Sequence, residues 1–138
     1  MRAVFADTFY WTALTNTEDG AHQYALTLSQ SLQAERIITT EDVLDEYLAY
    51  FSGARRSVRQ HAGDMVEALL NSRRKVSVIP QSHESFMAGL ELYRTRPDKG
   101  YSLTDCISMQ TMRREGLTDV LTNDRHFEQE GFRALFRA

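Results

Sequence analysis

Two prolines, one cysteine and seven glycines in 138 residues leave little room for several classes of protein. The lone Cys106 excludes an internal disulfide and any zinc site built on thiolates. No apolar run approaches the ~20 residues that span a bilayer, and Arg2 leads directly into a strand-like segment without a signal-peptide pattern. These absences predict a cytoplasmic chain with no membrane partner, folded as a single domain over 1–138. Internal repeats, low-complexity tracts and linkers are also missing. Positive charge is in deficit: the net charge is −3, which excludes a protein that is basic overall and binds nucleic acid by that means. Lysine is scarcest of all, since fourteen of the sixteen cations are arginine. They gather at Arg55, Arg56 and Arg59, at Arg73, Arg74 and Lys75, at Arg94, Arg96 and Lys99, and at Arg113 and Arg114. Arginine suits phosphate geometry, but solvated helix faces explain such clusters equally well.

What is present begins with Ala3-Val4-Phe5-Ala6-Asp7-Thr8, a short apolar run that ends on a carboxylate and then a hydroxyl. In an open parallel sheet, ligands bind beyond the carboxyl ends of the strands. Further strands are expected at Arg36–Thr39, Lys75–Pro80, Asp119–Thr122 and Phe132–Phe136. Helices are expected at Phe9–Leu14, Ala21–Gln33, Glu41–Phe51, Arg55–Arg74, from Ser82 to about Tyr93, and Leu103–Glu115, with a helical turn at Arg125–Glu130. Strands alternating with helices predict an α/β fold: a three-layer α/β/α sandwich on a parallel four- or five-stranded sheet.

Four carboxylates stand where strand or helix ends can aim them at one point. Asp7 follows the first strand, although a turn or cap would also explain it. Glu46 lies at the edge of a broad arc formed by Val43, Leu44, Tyr47, Leu48, Tyr50 and Phe51, whereas Asp42 and Asp45 face away. Glu41, in the first turn, is expected to answer the helix dipole. Asp105 has capping-box spacing from Ser102, yet it opens a segment from Cys106 to Met112 without a charge, which predicts a buried helix. Asp124, in Leu121-Thr122-Asn123-Asp124, also reads as a helix cap or as a partner of Arg125. Thr8, Thr122 and Asn123 are neutral hydrogen-bonding neighbours. Clustered carboxylates repel one another at low dielectric and need protons or a cation. Oxygen ligands without histidine or thiolate select Mg²⁺ or Mn²⁺. His22, His61 and His83 lack ligand spacing, and His126, though near Asp124, is expected at the surface.

Asp7 after the first strand, Thr-Thr-Glu-Asp-Val-Leu-Asp-Glu-Tyr around Glu46, Ser-Leu-Thr-Asp105, and Leu-Thr-Asn-Asp124-Arg-His-Phe together resemble the PIN domain family. More particularly, they resemble the VapC-type toxin ribonucleases of toxin–antitoxin pairs. The resemblance covers essentially the whole chain, and none of the family's acids is missing. It implies a metal-dependent endoribonuclease in which Asp7, Glu46, Asp105 and Asp124 surround one or two Mg²⁺ or Mn²⁺ ions. Asp7 and Asp105 would bind directly, with Glu46 and Asp124 doing so directly or through water. Thr8, Thr122 and Asn123 would hold the carboxylates in place. It further implies RNA as substrate, Arg125 at the rim as an RNA contact, a cognate antitoxin and a homodimer.

Two rival readings remain. A non-catalytic module that binds RNA or protein would satisfy the acids with arginines. A small phosphatase of the haloacid-dehalogenase type would carry a second aspartate two residues after Asp7, where this chain has Phe9.

Overall fold

The computed structural model describes residues 2–32, 35–72 and 75–137. β1 (Ala3–Ala6) is flanked on both sides by strands, and Val4, Phe5 and Ala6 are completely buried. A strand covered on both faces can afford no polar alternation, which explains its uninterrupted apolar run. After α1 (Thr8–Thr15) and α2 (His22–Ser31), the chain enters β2 (Arg36–Thr40), parallel to β1 with Val4 opposite Ile37. α3 (Glu41–Tyr50) and α4 (Arg56–Asn71) lead to β3 (Val76–Ile79) at one edge of the sheet. α5 (His83–Thr95) and α6 (Leu103–Glu115) then carry the chain back past β1 to β4 (Asp119–Leu121). α7 (Arg125–Gln129) and the two-residue β5 (Arg133–Ala134) complete it.

The result is the expected α/β/α sandwich. All five strands are parallel, in the order β3-β2-β1-β4-β5, with seven helices among the described residues. The chain leaves β1 for β2 on one side and returns to β4 on the other. The carboxyl ends of β1 and β4 therefore flank the point where strand order reverses, the crevice of an open α/β sheet.

α6 is the helix that sets the depth of this crevice. Cys106, Ile107, Ser108, Met109, Thr111 and Met112 are all buried, as its lack of charge predicts. Gly116, at φ 70°, ends it in the left-handed conformation, with the Leu117 N–H returning to the Met112 carbonyl at 2.8 Å. α5 packs tightly against it where Gly89 faces Ile107.

Several boundaries differ from expectation. The predicted last strand, Phe132–Phe136, reduces to Arg133–Ala134, because Leu135 and Phe136 form a turn that the Arg137 N–H closes on the Ala134 carbonyl at 3.2 Å. The Leu135 and Phe136 N–H groups bond the Val120 and Thr122 carbonyls, and the Phe136 ring packs edge-on against Phe9 and Tyr24. The expected ends of α2 at Gln33 and of α4 at Arg73 and Arg74 lie outside the described residues. In α3 the buried arc is narrower than predicted: Val43, Leu44 and Tyr47 are buried, but Leu48 and Tyr50 are exposed. Asp42, expected to face away, is half-buried, and burial raises its pKa. Among the described residues, no helix is long and apolar enough to cross a membrane.

Candidate active site

Asp7 leaves β1 at the head of α1 but caps nothing: its side chain makes no capping hydrogen bond. It is 5% exposed, accepts a 2.9 Å bond at Oδ2 from the Thr122 hydroxyl, and has no hydrogen-bond partner at Oδ1. Burial, with Asp105 close by, pushes its pKa up to about 7. A buried carboxylate oxygen with no donor is costly, and it makes the turn-residue reading of Asp7 insufficient.

Glu46 reaches the same place from α3, half-buried, with the Thr8 hydroxyl donating to Oε1 at 2.5 Å. The competing Glu41 is engaged elsewhere, accepting the Gln81 N–H at 2.7 Å on the far side of β2. Helix α3 starts where Thr40 caps it, its side chain accepting the Val43 N–H at 3.1 Å, and this sets the phase that turns Glu46 towards β1.

Asp105 holds both roles weighed for it. It completes a capping box with Ser102 and is also 9% exposed beside the other acids. Burial raises its pKa, with further contributions from nearby Asp124 and Glu46. Asp124 likewise caps α7, accepting the His126 N–H at 2.9 Å. Thr122 joins two of the acids: its oxygen donates to Asp7 and accepts the Asp124 N–H at 3.2 Å. The alternative partner weighed for Asp124, Arg125, forms no salt bridge with it among the described residues.

Asp7, Thr8, Phe9, Glu46, Ser102, Asp105, Thr122, Asn123 and Asp124 line one cleft of about 410 Å³. All four expected acids therefore meet. Asn123 lies at the exposed rim, without a side-chain hydrogen bond to any of them among the described residues. Arg125 is exposed at the start of α7 and pairs with no carboxylate among the described residues.

His126 departs from expectation. It is not a free surface residue: its side chain is 25% exposed, and Nδ1 sits 3.3 Å from Asp124 Oδ1 and 3.6 Å from Asp105 Oδ2. Asp105, Asp124 and His126 offer donor atoms within 4.8 Å of one another. The only sequence signal was its place two residues after Asp124, in the first turn of a helix that Asp124 caps. Phe9 was also missed; it lines the cleft at the position where a phosphatase would need an aspartate.

The arginines do not neutralise this pocket. Among the described residues, none forms an ion pair with Asp7, Glu46, Asp105 or Asp124. Arg96 and Arg113 instead hold Glu130, while Arg2 and Arg133 hold Asp119 at the opposite end of β4.

The sequence profile of the PIN domain matches residues 4–132. No curated protein sequence matches the chain. Among solved structures, VapC20 of Mycobacterium tuberculosis, a toxin that cleaves the sarcin–ricin loop, is similar at a TM-score of 0.80 and 26% identity, over 94% of this chain and 95% of that one. VapBC2 of Rickettsia felis, bound to a DNA fragment from its promoter, shares the fold at a TM-score of 0.67 and 15% identity, over 96% of each chain. FitAcB of Neisseria gonorrhoeae does so at 0.65 and 14%, over 95% of each. A VapC-like fold and a match across nearly the whole length lead to one assignment: the chain belongs to the PIN domain family.

Proposed function

We propose that the protein is a Mg²⁺- or Mn²⁺-dependent endoribonuclease, the toxin of a toxin–antitoxin pair. The observation that carries this reading is the Asp7 carboxylate: buried, lacking a donor at Oδ1, and facing three other acids with no arginine among them. Such a cluster fits a hard divalent cation and makes poor sense without one. It also counts against the non-catalytic alternative, which requires acids satisfied by arginine.

In this reading Asp7, Glu46, Asp105 and Asp124 hold the ion. When bound, the cation activates water and offsets charge on the phosphodiester during in-line displacement. Hydrolysis adds water across one P–O bond: the new P–O bond forms, the old one breaks, and the leaving oxygen takes a proton. The chain's own contribution is geometric. Thr122 orients Asp7, Thr8 orients Glu46, and the Ser102 capping box fixes Asp105. Arg125, exposed at the rim beside Asn123, would meet the RNA backbone. RNA as substrate draws support from the likeness to VapC20, a toxin that cleaves the sarcin–ricin loop.

The test is cleavage of a pool of tRNA and structured RNA, comparing Mg²⁺, Mn²⁺ and EDTA, with Asp7→Asn in parallel. Cleavage abolished by EDTA and reduced at least ~100-fold by Asp7→Asn is expected. Cleavage indifferent to Asp7→Asn would place the site elsewhere. A cognate antitoxin that co-purifies with the protein and suppresses cleavage is the expected partner, and a homodimer the expected state.

A further inference from the structure

We propose that His126 Nδ1 is a ligand of the cation site, so that the donor set is mixed nitrogen and oxygen and favours Mn²⁺ over Mg²⁺. This rests on the cation site proposed above and adds a donor that an acids-only reading leaves out.

Four observations carry it. First, Nδ1 is shielded from solvent and has no hydrogen-bond partner, although it lies 3.3 Å from Asp124 Oδ1 and 3.6 Å from Asp105 Oδ2. A simple hydrogen bond to either carboxylate would satisfy it, and neither has the geometry. Second, adjacent donors around a six-coordinate ion with ~2.1 Å bonds are about 3 Å apart, close to these separations. Third, Asp7, whose buried Oδ1 likewise has no partner, lines one cleft with Asp105 and Asp124, the two acids that Nδ1 approaches. Fourth, the imidazole is held from behind. Its ring packs 5.1 Å from that of Tyr101, whose hydroxyl donates to Glu130 at 2.9 Å. Glu130 is fixed in turn by Arg96 at 2.9 Å and Arg113 at 2.8 Å. Ligating histidines depend on this kind of outer support for their orientation.

The chemical consequence follows from donor type. Mg²⁺ prefers oxygen and keeps its waters, so an imidazole adds little for it. First-row transition ions gain from nitrogen, and Mn²⁺ is the one that carboxylates also suit. The competing assignment makes His126 an imidazolium counter-ion to Asp105 and Asp124. That role gives the opposite result on removal, because losing a positive charge tightens binding of every divalent cation.

Pulsed EPR on the Mn²⁺-loaded protein reads ligation directly. Wild type is expected to show ¹⁴N modulation from a coordinated imidazole, and His126→Asn to lose it while keeping the wild-type circular dichroism spectrum. Titration is expected to show Mn²⁺ affinity falling about tenfold or more in the variant, with Mg²⁺ affinity unchanged. Bound Mn²⁺ without ¹⁴N modulation in wild type overturns this inference and leaves the carboxylate site standing. Equal tightening of both ions in His126→Asn overturns it in favour of the counter-ion. Failure of wild type to bind Mn²⁺ at all overturns both this inference and the proposed function.

Discussion

Asp7 answers to two opposed requirements. Burial and the nearby Asp105 favour the protonated form, whereas the proposed cation would require the carboxylate. Its pKa is about 7 in the fold against an ordinary value of 3.8. Between those values the folded chain holds a proton that the unfolded chain has released, so stability must fall as pH rises through the window. The slope from this group approaches ~1.4 kcal/mol per pH unit and vanishes above pH ~7. In metal-free protein, Asp7→Asn removes that loss and retains an acceptor for Thr122. It is expected to stabilise the fold at pH 8, on the order of 2–4 kcal/mol by urea denaturation, while leaving stability at pH 4 nearly unchanged. Equal effects at both pH values would show that Asp7 is not held protonated. Thr8 offers a complementary case. Thr8→Val keeps the shape of the side chain but frees Glu46 Oε1 from its 2.5 Å bond. Cleavage is expected to fall about 10- to 100-fold, with thermal stability lowered by only about 1 kcal/mol.

At the scale of the elements, what the sequence reveals depends on how local the cause is. β1 and α6 could be read because each is buried on nearly every side, so the chain there is apolar or uncharged without interruption. The caps at Thr40, Ser102 and Asp124 could be read because a cap is satisfied within three residues. The outer edge of α3 could not: Leu48 and Tyr50 fit a helical arc yet lie exposed, since only the neighbouring elements decide where a buried face stops. His126 was hidden for the same reason, because Tyr101, far away in sequence, sets its ring. Packing of α5 on α6 is another long-range fact invisible to periodicity. Gly89 lies inside α5, where alanine would normally add about 1 kcal/mol of helix stability. Here a Cβ would press on Ile107 Cγ1 and lie 3.1 Å from the Ile107 backbone nitrogen, and backbone cannot swing aside. Gly89→Ala is therefore expected to destabilise by about 2 kcal/mol, read from the denaturation midpoint. A stabilised variant would mean that the two helices separate more readily than their packing implies.

For the whole molecule, the decisive feature is that charge is balanced differently at two carboxylates shielded from solvent, Glu130 and Asp7. Glu130, with a side chain only 5% exposed, joins three separate stretches of chain. It accepts from Arg96 at the end of α5, from Tyr101 in the loop before α6, and from Arg113 in the last turn of α6. Burial alone would raise its pKa, but the bonds from Arg113, Arg96 and Tyr101 prevail and hold it at about 2. A lowered carboxylate stabilises the fold fully above its unfolded pKa, near 4.5, and loses that contribution as pH falls towards 2. Asp7 acts with the opposite sign above pH ~4. From these two groups, the metal-free protein is expected to be most stable between about pH 4 and 5, on the acid side of neutrality. The proposed binding of Mn²⁺ or Mg²⁺ would remove the Asp7 penalty and add stability through linkage, about 2.7 kcal/mol at a hundredfold excess over Kd. The maximum is then expected to move to pH 7 or above, reversing with EDTA. Glu130→Gln separates the two contributions. It should lower stability by about 2 kcal/mol at pH 6 and flatten the acid limb, while the alkaline limb set by Asp7 persists. Melting temperatures of both chains from pH 3 to 9, with and without Mn²⁺, measure all of this in one experiment. A metal-free maximum at pH 7 or higher would show that the four acids of the cleft are not the strained cluster on which a cation-dependent activity rests.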